Sequence, residues 1–363
     1  MLIDAFLFAA GLVGLFLGAQ LLVRGASALA LSMGISPLVV GLTVVAFGTS
    51  APEMAVSVGA ALSGTTDLAV GNAVGSNIFN VLFILGAAAV IAPLIVHADV
   101  IRREAPILVG GAALLLVLGW DGRITWIEAA VLTLLLFAYT GFLIRHSRQE
   151  SHDPFAPDAA ADVPQPQGGR GRQLLMVAAG LALLVAGSHA LVSAAVSFAR
   201  AFGVSEVVIG LTIVAMGTSL PEVAASLMAA ARGQRDIAVG NVVGSCIFNV
   251  FGVVGVAGLA AAATGAESLV VPAAIRDFDL WVMLIVFVAC VPVFLTGGRI
   301  ARWEGVLFLL YYAAYTAYLL LAAKRHSGLE AFSDVMLGFV VPLTAVTLTV
   351  SVLNRRRPPP RRP

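Results

Sequence analysis

The chain contains one polar pattern written twice. Residues 41–58 read GLTVVAFGTSAPEMAVSV and residues 210–227 read GLTIVAMGTSLPEVAASL, with identical residues at 12 of 18 positions. A second pair follows at the same offset of 169 residues, VGNAVGSNIFNVLFILG at 70–86 and VGNVVGSCIFNVFGVVG at 239–255, with 11 of 17 identical. Each copy sets a glutamate, several hydroxyls and an asparagine in otherwise apolar sequence. This arrangement is typical of a transporter built from two repeats, with a polar site where the repeats meet.

The sequence around these motifs is too apolar for a soluble protein. Of 363 residues, 60% are hydrophobic and 11% are charged, and the mean hydropathy is +1.00. Soluble domains carry about 25% charged residues, so the chain is predicted to be an integral membrane protein. The net charge of +1 does not suggest a nucleic-acid partner, and no cofactor or protein partner is indicated. Cys246 and Cys290 lie in apolar segments without zinc-site spacing, and Cys246 stands where the first copy has Asn77.

Apolar runs predict the membrane-spanning helices, each of which needs roughly 20 residues. The predicted spans are residues 3–23, 36–62, 69–92, 105–119, 125–144, 174–199, 205–230, 238–262, 279–296, 302–322 and 335–353. The first run lacks a basic leader and a cleavage site, so it is interpreted as a span and not as a signal peptide. The predicted fold is all-α: a five-helix repeat at 1–144, a polar linker at 145–173, a second five-helix repeat at 174–323, and an eleventh helix with a basic tail at 324–363.

The odd number of spans in each repeat predicts an inverted arrangement. A unit of five helices reverses its direction when it recurs, so the two motif sets are expected to enter the membrane from opposite sides. With the N-terminus outside, 16 of the Lys and Arg residues lie inside and 5 lie outside. The positive-inside rule therefore favours an external N-terminus and a cytoplasmic C-terminus.

The first motif predicts a broken helix lined with oxygen atoms. Pro52 has no N–H, so the carbonyl of Gly48 loses its helical partner, and Gly48 itself adds conformational freedom. One face of such a helix carries Ala46, Thr49 or Ser50, and Glu53. The second copy repeats the set as Ala215, Thr218, Ser219 and Glu222, with Gly217 and Pro221 as helix breakers. Freed carbonyls in a membrane need partners, and carbonyl, hydroxyl and carboxylate oxygens are the ligands that hard cations prefer.

The second motif adds a polar stripe to an apolar helix. The stripe recurs every four residues and consists of Asn72, Ser76 and Asn80 in the first copy and Asn241, Ser245 and Asn249 in the second. Gly75 and Gly244 are expected to allow close helix packing, with Asn72 and Asn241 in packing or supporting positions. Ser188 and His189 in the sixth predicted span are expected to be packing or interfacial residues.

Glu53 and Glu222 are the acids expected near the middle of the membrane. A carboxylate there costs at least about 2.5–3.5 kcal/mol, so it normally marks a transport pathway or a pair. No basic residue lies at comparable depth in any predicted span, which argues against a structural salt bridge. If the two carboxyl groups approach one another, desolvation and like charge favour their protonated forms, so proton binding stays open beside metal-ion binding.

The motifs GTSAPE with GNAVGSNIFN, and GTSLPE with GNVVGSCIFN, resemble the alpha repeats of the sodium/calcium exchanger family. The resemblance implies a compact prokaryotic antiporter of the inner membrane that exchanges Ca²⁺ for Na⁺ by alternating access in two inverted five-helix repeats. It also implies that the helices at 3–23 and 174–199 slide across the core. The ion ligands it implies are the carbonyls of Ala46 and Ala215 and the side chains of Thr49, Ser50, Glu53, Ser76, Asn80, Thr218, Ser219, Glu222, Ser245 and Asn249.

One feature departs from the pattern of many relatives, which carry an aspartate in one repeat where this chain has Asn80 and Asn249. The site then holds two carboxylates, Glu53 and Glu222, and not three. Two negative charges balance one Ca²⁺ or two Na⁺, so a third Na⁺ would be less well compensated. The expected coupling is therefore fewer Na⁺ per Ca²⁺ than in the family's usual electrogenic exchange.

Three other functions are weighed against this one. Ca²⁺/H⁺ exchange would use the same two glutamates, and the ion gradient that drives Ca²⁺ flux would distinguish it. A passive cation channel is disfavoured because two glutamates at the midplane favour occlusion over rapid exit. An intramembrane enzyme is disfavoured because the chain lacks HExxH, paired aspartates in spans and a recognisable nucleophile–base pair.

Overall fold

A computed structural model describes residues 2–150, 169–202, 215–295, 298–324 and 326–355, most of which are helical. The helices of the first half are α1 (Leu2–Met33), α2 (Pro37–Thr49), α3 (Ala51–Leu62), α4 (Thr66–Ile91), α5 (residues 100–118) and α6 (Trp126–Glu150). Those that follow are α7 (Arg170–Ala201), α8 (Ala215–Gly217), α9 (Leu220–Ala231), α10 (Arg235–Ala263), α11 (Ile275–Leu295), α12 (Arg302–Ala323) and α13 (residues 329–355).

Eight of the described helices are long and apolar enough to cross a membrane, and the bent pair of α2 and α3 makes a ninth. This confirms the prediction of an all-α, multi-pass membrane protein. The predicted span at 105–119 corresponds to the 14 residues Ala105–Leu118 of α5, and the one at 205–230 is described only from Ala215 onward. Helix α1 continues to Met33, ten residues past its predicted end, because the exposed Arg24 lies within the helix and does not end it.

The two spans that carry the second motif form the centre of the molecule. In their most apolar stretches 72% of the residues of α4 and 89% of those of α10 are buried, against 33% for α1 and 28% for α7. Helix α13 has no buried residue in its apolar stretch and lies on the outside, where Tyr311 of α12 donates a hydrogen bond to Thr344 at 2.7 Å. The polar stripes of α4 and α10 are therefore enclosed by the other helices.

Two short antiparallel ribbons join the first half of the chain to the second. Strand β1 (Leu94–Ile95) pairs with β4 (Arg299–Ile300), and β2 (Arg123–Thr125) pairs with β3 (Ser268–Val270). All four strands lie in loops between helices. Each ribbon buries an apolar residue from both partners, which ties loops of the two halves together.

Helices α1 and α7 cross with their backbones in close contact. A Cβ atom added at Gly11 would lie 2.8 Å from the carbonyl oxygen of Gly187, and one at Gly18 would lie 2.9 Å from that of Gly180. The reverse contacts are equally close, since Cβ atoms at Gly180 and Gly187 would lie 2.9 Å from the carbonyl oxygens of Gly18 and Gly11. Small residues of this kind let membrane helices approach closely, so the glycines determine the spacing of this pair.

The first motif breaks the helix at the same point in each half. Ser50 separates α2 from α3 with φ −81° and ψ 6°, and the two helices meet at a bend of 43°. Ser219 has nearly the same backbone conformation, φ −88° and ψ 7°, just before α9. Pro52 and Pro221 lie at the second position of the new helix, where a missing N–H is tolerated.

Candidate cation-binding site

Glu53 and Glu222 occupy matching places, each in the first turn of the helix that follows a break. Both side chains are fully buried. The free N–H groups at the start of a helix carry a partial positive charge, which stabilises a nearby carboxylate. The break therefore places each glutamate where the backbone itself favours a negative charge.

Each glutamate is hydrogen-bonded by a serine from the other half of the chain. Ser219 Oγ donates to Glu53 Oε1 at 2.7 Å, and Ser50 Oγ donates to Glu222 Oε1 at 2.9 Å. Both serines are fully buried. The two breaks thus face one another, and the hydroxyl of each break satisfies one carboxylate oxygen of the opposite one.

The asparagines that begin the polar stripes support the broken helices. Asn72 Nδ2 donates to the backbone carbonyl of Glu53 at 3.2 Å. Asn241 Oδ1 accepts from the Thr49 hydroxyl at 3.0 Å, and its Nδ2 donates to Ser226 Oγ at 2.9 Å. These asparagines hold other site residues in place with their own polar groups, and Asn241 does so across the two halves.

The asparagines that end the stripes begin π-helical turns. Asn80 starts the turn Asn80–Leu85 within α4, and Asn249 starts Asn249–Val253 within α10. Such widened turns inside α-helices are frequent at functional sites. One helical turn earlier, Ser76 Oγ lies 3.2 Å from Ser219 Oγ, so α4 reaches the break of the second half.

Six side-chain oxygens in the described residues are buried and make no hydrogen bond there. They are Glu53 Oε2, Asn80 Oδ1, Thr218 Oγ1, Glu222 Oε2, Ser245 Oγ and Asn249 Oδ1. Buried polar atoms without a partner are rare and costly. All six belong to residues that the sequence predicts as cation ligands. The described residues hold no cluster of three or more His, Cys, Asp or Glu, so any cation bound here relies on neutral oxygens beside the two carboxylates.

Four further predicted residues are two alanines with proposed carbonyl ligands and two glycines with expected packing roles. The carbonyl of Ala46 accepts from the backbone N–H of Ser50 at 3.0 Å and so keeps its helical partner. Ala215 is the first described residue of its segment. Gly244 lets α10 approach α2 closely, since an added Cβ would lie 2.6 Å from the carbonyl oxygen of Leu42. At Gly75 an added Cβ would meet no atom within 4 Å, so the close packing expected of this glycine does not occur.

Both halves of the chain match one protein family. The family model described as sodium/calcium exchanger protein covers residues 3–145 and 172–321. The chain belongs to the sodium/calcium exchanger family. Members of this family are membrane transporters and not enzymes, and the exchanger is accordingly a multi-pass cation/Ca²⁺ antiporter.

Three relatives resemble the exchanger over nearly their whole length. The putative antiporter CaxA from Alkalimonas amylolytica is 40% identical over 340 residues, which cover 89% of this chain and 100% of that protein. The sodium/calcium exchanger MaX1 from Methanosarcina acetivorans is 31% identical, covering 85% of this chain and 96% of its own. A solved structure of the sodium-calcium exchanger NCX_Mj matches with a TM-score of 0.74 and 30% identity, covering 88% of this chain and 99% of that one.

Sequence reasoning missed two polar residues that contact the candidate site. Asn77 Oδ1 accepts a hydrogen bond from Asn249 Nδ2 at 3.1 Å. Ser188, expected to be a packing or interfacial residue, donates to the carbonyl of Gly217 at 2.6 Å. The difference between Asn77 and Cys246 in otherwise matching motifs was a signal for the first. A hydroxyl in a long apolar helix was the only signal for the second.

Proposed function

We propose that the exchanger moves Ca²⁺ across the plasma membrane against Na⁺, by alternating access at one central site. The site lies where α3 and α9 begin and where the polar stripes of α4 and α10 pass them. The N-terminus lies outside and the C-terminus in the cytoplasm in this proposal, and an inward Na⁺ gradient would drive Ca²⁺ out of the cell. The names of MaX1 and NCX_Mj, both sodium/calcium exchangers, support Na⁺ as the coupling ion.

The six partnerless buried oxygens carry this proposal. Ca²⁺ is bound by oxygen ligands such as carboxylates and amide carbonyls, and the six partnerless atoms are all oxygens, from two carboxylates, two amides and two hydroxyls. Two of the six oxygens belong to the carboxylates of Glu53 and Glu222, whose charges balance one Ca²⁺ or two Na⁺. Because the same oxygens cannot serve both ions at once, competition between the ions couples the two fluxes.

The hydrogen-bonded hydroxyls are compatible with the same role. Ser50 and Ser219 each donate their proton to a carboxylate, so the lone pairs of both oxygens remain available to a cation. Thr49 Oγ1 donates its proton to Asn241 Oδ1, so its lone pairs also remain available to a cation. Together with Ser76 and the carbonyls of Ala46 and Ala215, these groups complete the proposed ligand set.

Alternating access requires that one part of the molecule moves while the site stays in place. The pair α1 and α7 is the candidate for that part, because it is poorly buried and its glycine crossing joins the two helices to each other. Helix α7 lies against both breaks, since a Cβ atom added at Gly48 would meet Leu181 and one added at Gly217 would meet Val192. Movement of the pair would then open the site to one side and close it to the other.

Flux measurements test the coupling ion directly. Purified exchanger in liposomes would take up ⁴⁵Ca²⁺ against trapped Na⁺, beside matched vesicles with an acidic interior and no Na⁺. Uptake is expected in the vesicles that contain Na⁺ and not in those that have an acidic interior. Uptake with the acidic interior alone would replace Na⁺ by H⁺ in the proposal, and equal uptake under both conditions and with neither gradient would indicate a channel.

Neutral variants test the two carboxylates. Glu53→Gln and Glu222→Gln each keep the size of the side chain and remove one charge, so each is expected to abolish Na⁺-driven Ca²⁺ uptake. Glu330→Gln is the matched control, because Glu330 is exposed on α13 and lies outside the site. Normal uptake by either site variant would refute the assignment of that glutamate.

A further inference from the structure

The two copies of the second motif differ at one buried position next to the site. Asn77 in the first half corresponds to Cys246 in the second, and both side chains are fully buried. An amide has a strong acceptor and two donors, whereas a thiol is a weak donor and a weak acceptor. The two halves therefore differ in what they can offer to a neighbouring asparagine.

Asn77 faces the asparagine that ends the stripe of the opposite half. Asn249 Nδ2 donates to Asn77 Oδ1 at 3.1 Å, and Asn77 Nδ2 donates to Met283 Sδ at 3.4 Å. With its nitrogen directed at Met283, Asn77 presents its oxygen to Asn249. Asn249 must then turn its NH₂ group towards Asn77, which leaves Asn249 Oδ1 as one of the six partnerless oxygens.

Asn80 is held in no comparable way. Neither its Oδ1 nor its Nδ2 makes a hydrogen bond to a described residue. The residue that corresponds to Asn77 here is Cys246, whose Sγ lies 3.9 Å from the backbone carbonyl of Asn77. The two stripe-ending asparagines thus differ: Asn249 is fixed by a hydrogen bond and Asn80 is not.

We propose that Asn77 is a positioning residue that holds the amide oxygen of Asn249 towards the transported cation. If the amide of Asn249 rotated by half a turn, its NH₂ group would point at the cation and repel it. The acceptor at Asn77 therefore keeps the amide in the orientation that can bind a cation. The inference rests on the proposed function, because it treats Asn249 as a ligand of the ion. Partners of this kind, one shell outside the ligands, typically change metal affinity by about 10–100-fold.

Binding measurements on the purified full-length exchanger test this role. Ca²⁺ affinity is measured by isothermal titration calorimetry, and thermal unfolding of each variant reports stability. Asn77→Ala removes the acceptor and is expected to raise the Kd for Ca²⁺ about tenfold. Asn77→Asp restores an acceptor and is expected to recover most of the affinity, whereas Asn77→Leu fills the space without one and recovers none. Recovery by Leu and not by Asp would reveal a packing role and overturn the inference.

A double-mutant cycle shows whether Asn77 acts through Asn249. In an Asn249→Ala background, Asn77→Ala is expected to have little further effect on the Kd, because there is no longer an amide to orient. An equal effect in both backgrounds would overturn the inference. The charge of Asn77→Asp does not affect this comparison, because the cycle uses only the neutral variants Asn77→Ala and Asn249→Ala.

The corresponding position in the second half provides the control. Cys246→Ala removes a thiol, which is only a weak hydrogen-bonding group, so it is expected to change the Kd much less than Asn77→Ala; a loss as large as that of Asn77→Ala would overturn the inference. Wild-type exchanger that binds no Ca²⁺ would refute the proposed function and the inference together. Normal wild-type binding with an unaffected Asn77→Ala variant would refute the inference alone.

Discussion

Ser188 Oγ donates a hydrogen bond of 2.6 Å to the backbone carbonyl of Gly217. That carbonyl lacks its helical partner because Pro221, four residues on, has no N–H. The serine lies on α7 and is buried, so it satisfies a polar group that the break leaves free. The corresponding residues of the first half are Ala19 and Gly48, and an alanine side chain cannot donate. A hydroxyl of α7 is therefore bonded to the break of the second half, and α1 offers none at the equivalent position.

Replacing Ser188 with alanine is expected to loosen the contact between α7 and the second break. The carbonyl of Gly217 would lose its side-chain donor, at a cost of about 1–3 kcal/mol for a buried polar group. If α7 slides during transport, the bond between Ser188 and Gly217 must break in each cycle. Removing the bond therefore lowers the population of the conformation in which α7 lies against the second break. Hydrogen–deuterium exchange in the first turn of α9 is expected to rise in Ser188→Ala.

Ser27→Ala is the matched control for that variant. Ser27 Oγ donates to the carbonyl of Val23 within α1 at 2.8 Å, and this carbonyl does not depend on the hydroxyl because it lies inside a regular helix. Exchange in α9 is expected to stay at the wild-type level. Equal exchange in the two variants would contradict a special role for Ser188.

The helices and the breaks could be predicted from the sequence because their causes are local. Pro52 removes an N–H wherever the chain folds, and the apolar run of α4 spans a membrane whatever surrounds it. The partners of the site residues could not be predicted in this way. Ser50 and Ser219 occupy identical motif positions, and only the packing of the two halves determines that each donates to the glutamate of the other.

The supporting residues were harder to predict for a related reason. Asn77 lies within the motif, but its role depends on Met283, which comes from a helix outside both motifs. Ser188 lies in a helix whose sequence contains no motif, and its acceptor is a backbone carbonyl. The sequence can single out both residues, but it does not identify their partners, since each contact joins residues that are not neighbours in the chain.

The crossed serines should matter equally. Ser219→Ala and Ser50→Ala each remove the donor to one glutamate oxygen, and a hydrogen bond to a charged group contributes about 1.5–3 kcal/mol. Each variant also removes one oxygen of the proposed ligand set, so each is expected to raise the KM for Ca²⁺ in Na⁺-driven uptake by about tenfold, which corresponds to about 1.4 kcal/mol. Ser219→Thr keeps the hydroxyl and should lose less. A large effect of one serine with none of the other would contradict the reciprocal arrangement.

The glycine crossing should affect movement more than binding. A side chain at Gly187 would lie 2.8 Å from the backbone nitrogen of Leu15, so Gly187→Val must push α1 and α7 apart. Ca²⁺ uptake is expected to fall strongly while the Kd for Ca²⁺ changes little, because the proposed ion ligands all lie on other helices. Gly141→Val is the control, since no atom lies within 4 Å of its Cβ position. A Kd that rises as much as uptake falls would contradict this separation.

The number of carboxylates should set the coupling ratio. With Glu53 and Glu222 as its two site carboxylates, the wild-type exchanger is expected to exchange fewer Na⁺ per Ca²⁺ than three, and two Na⁺ per Ca²⁺ would carry no net charge. Asn249→Asp adds a third negative charge at the site and should favour a third Na⁺, although Asn77 must then turn its nitrogen towards the new carboxylate and away from Met283. Parallel ²²Na⁺ and ⁴⁵Ca²⁺ fluxes, with transport currents on a supported membrane, give the ratio for both proteins. A wild-type current that corresponds to three Na⁺ per Ca²⁺ would refute the prediction, because two carboxylates would then suffice for electrogenic exchange.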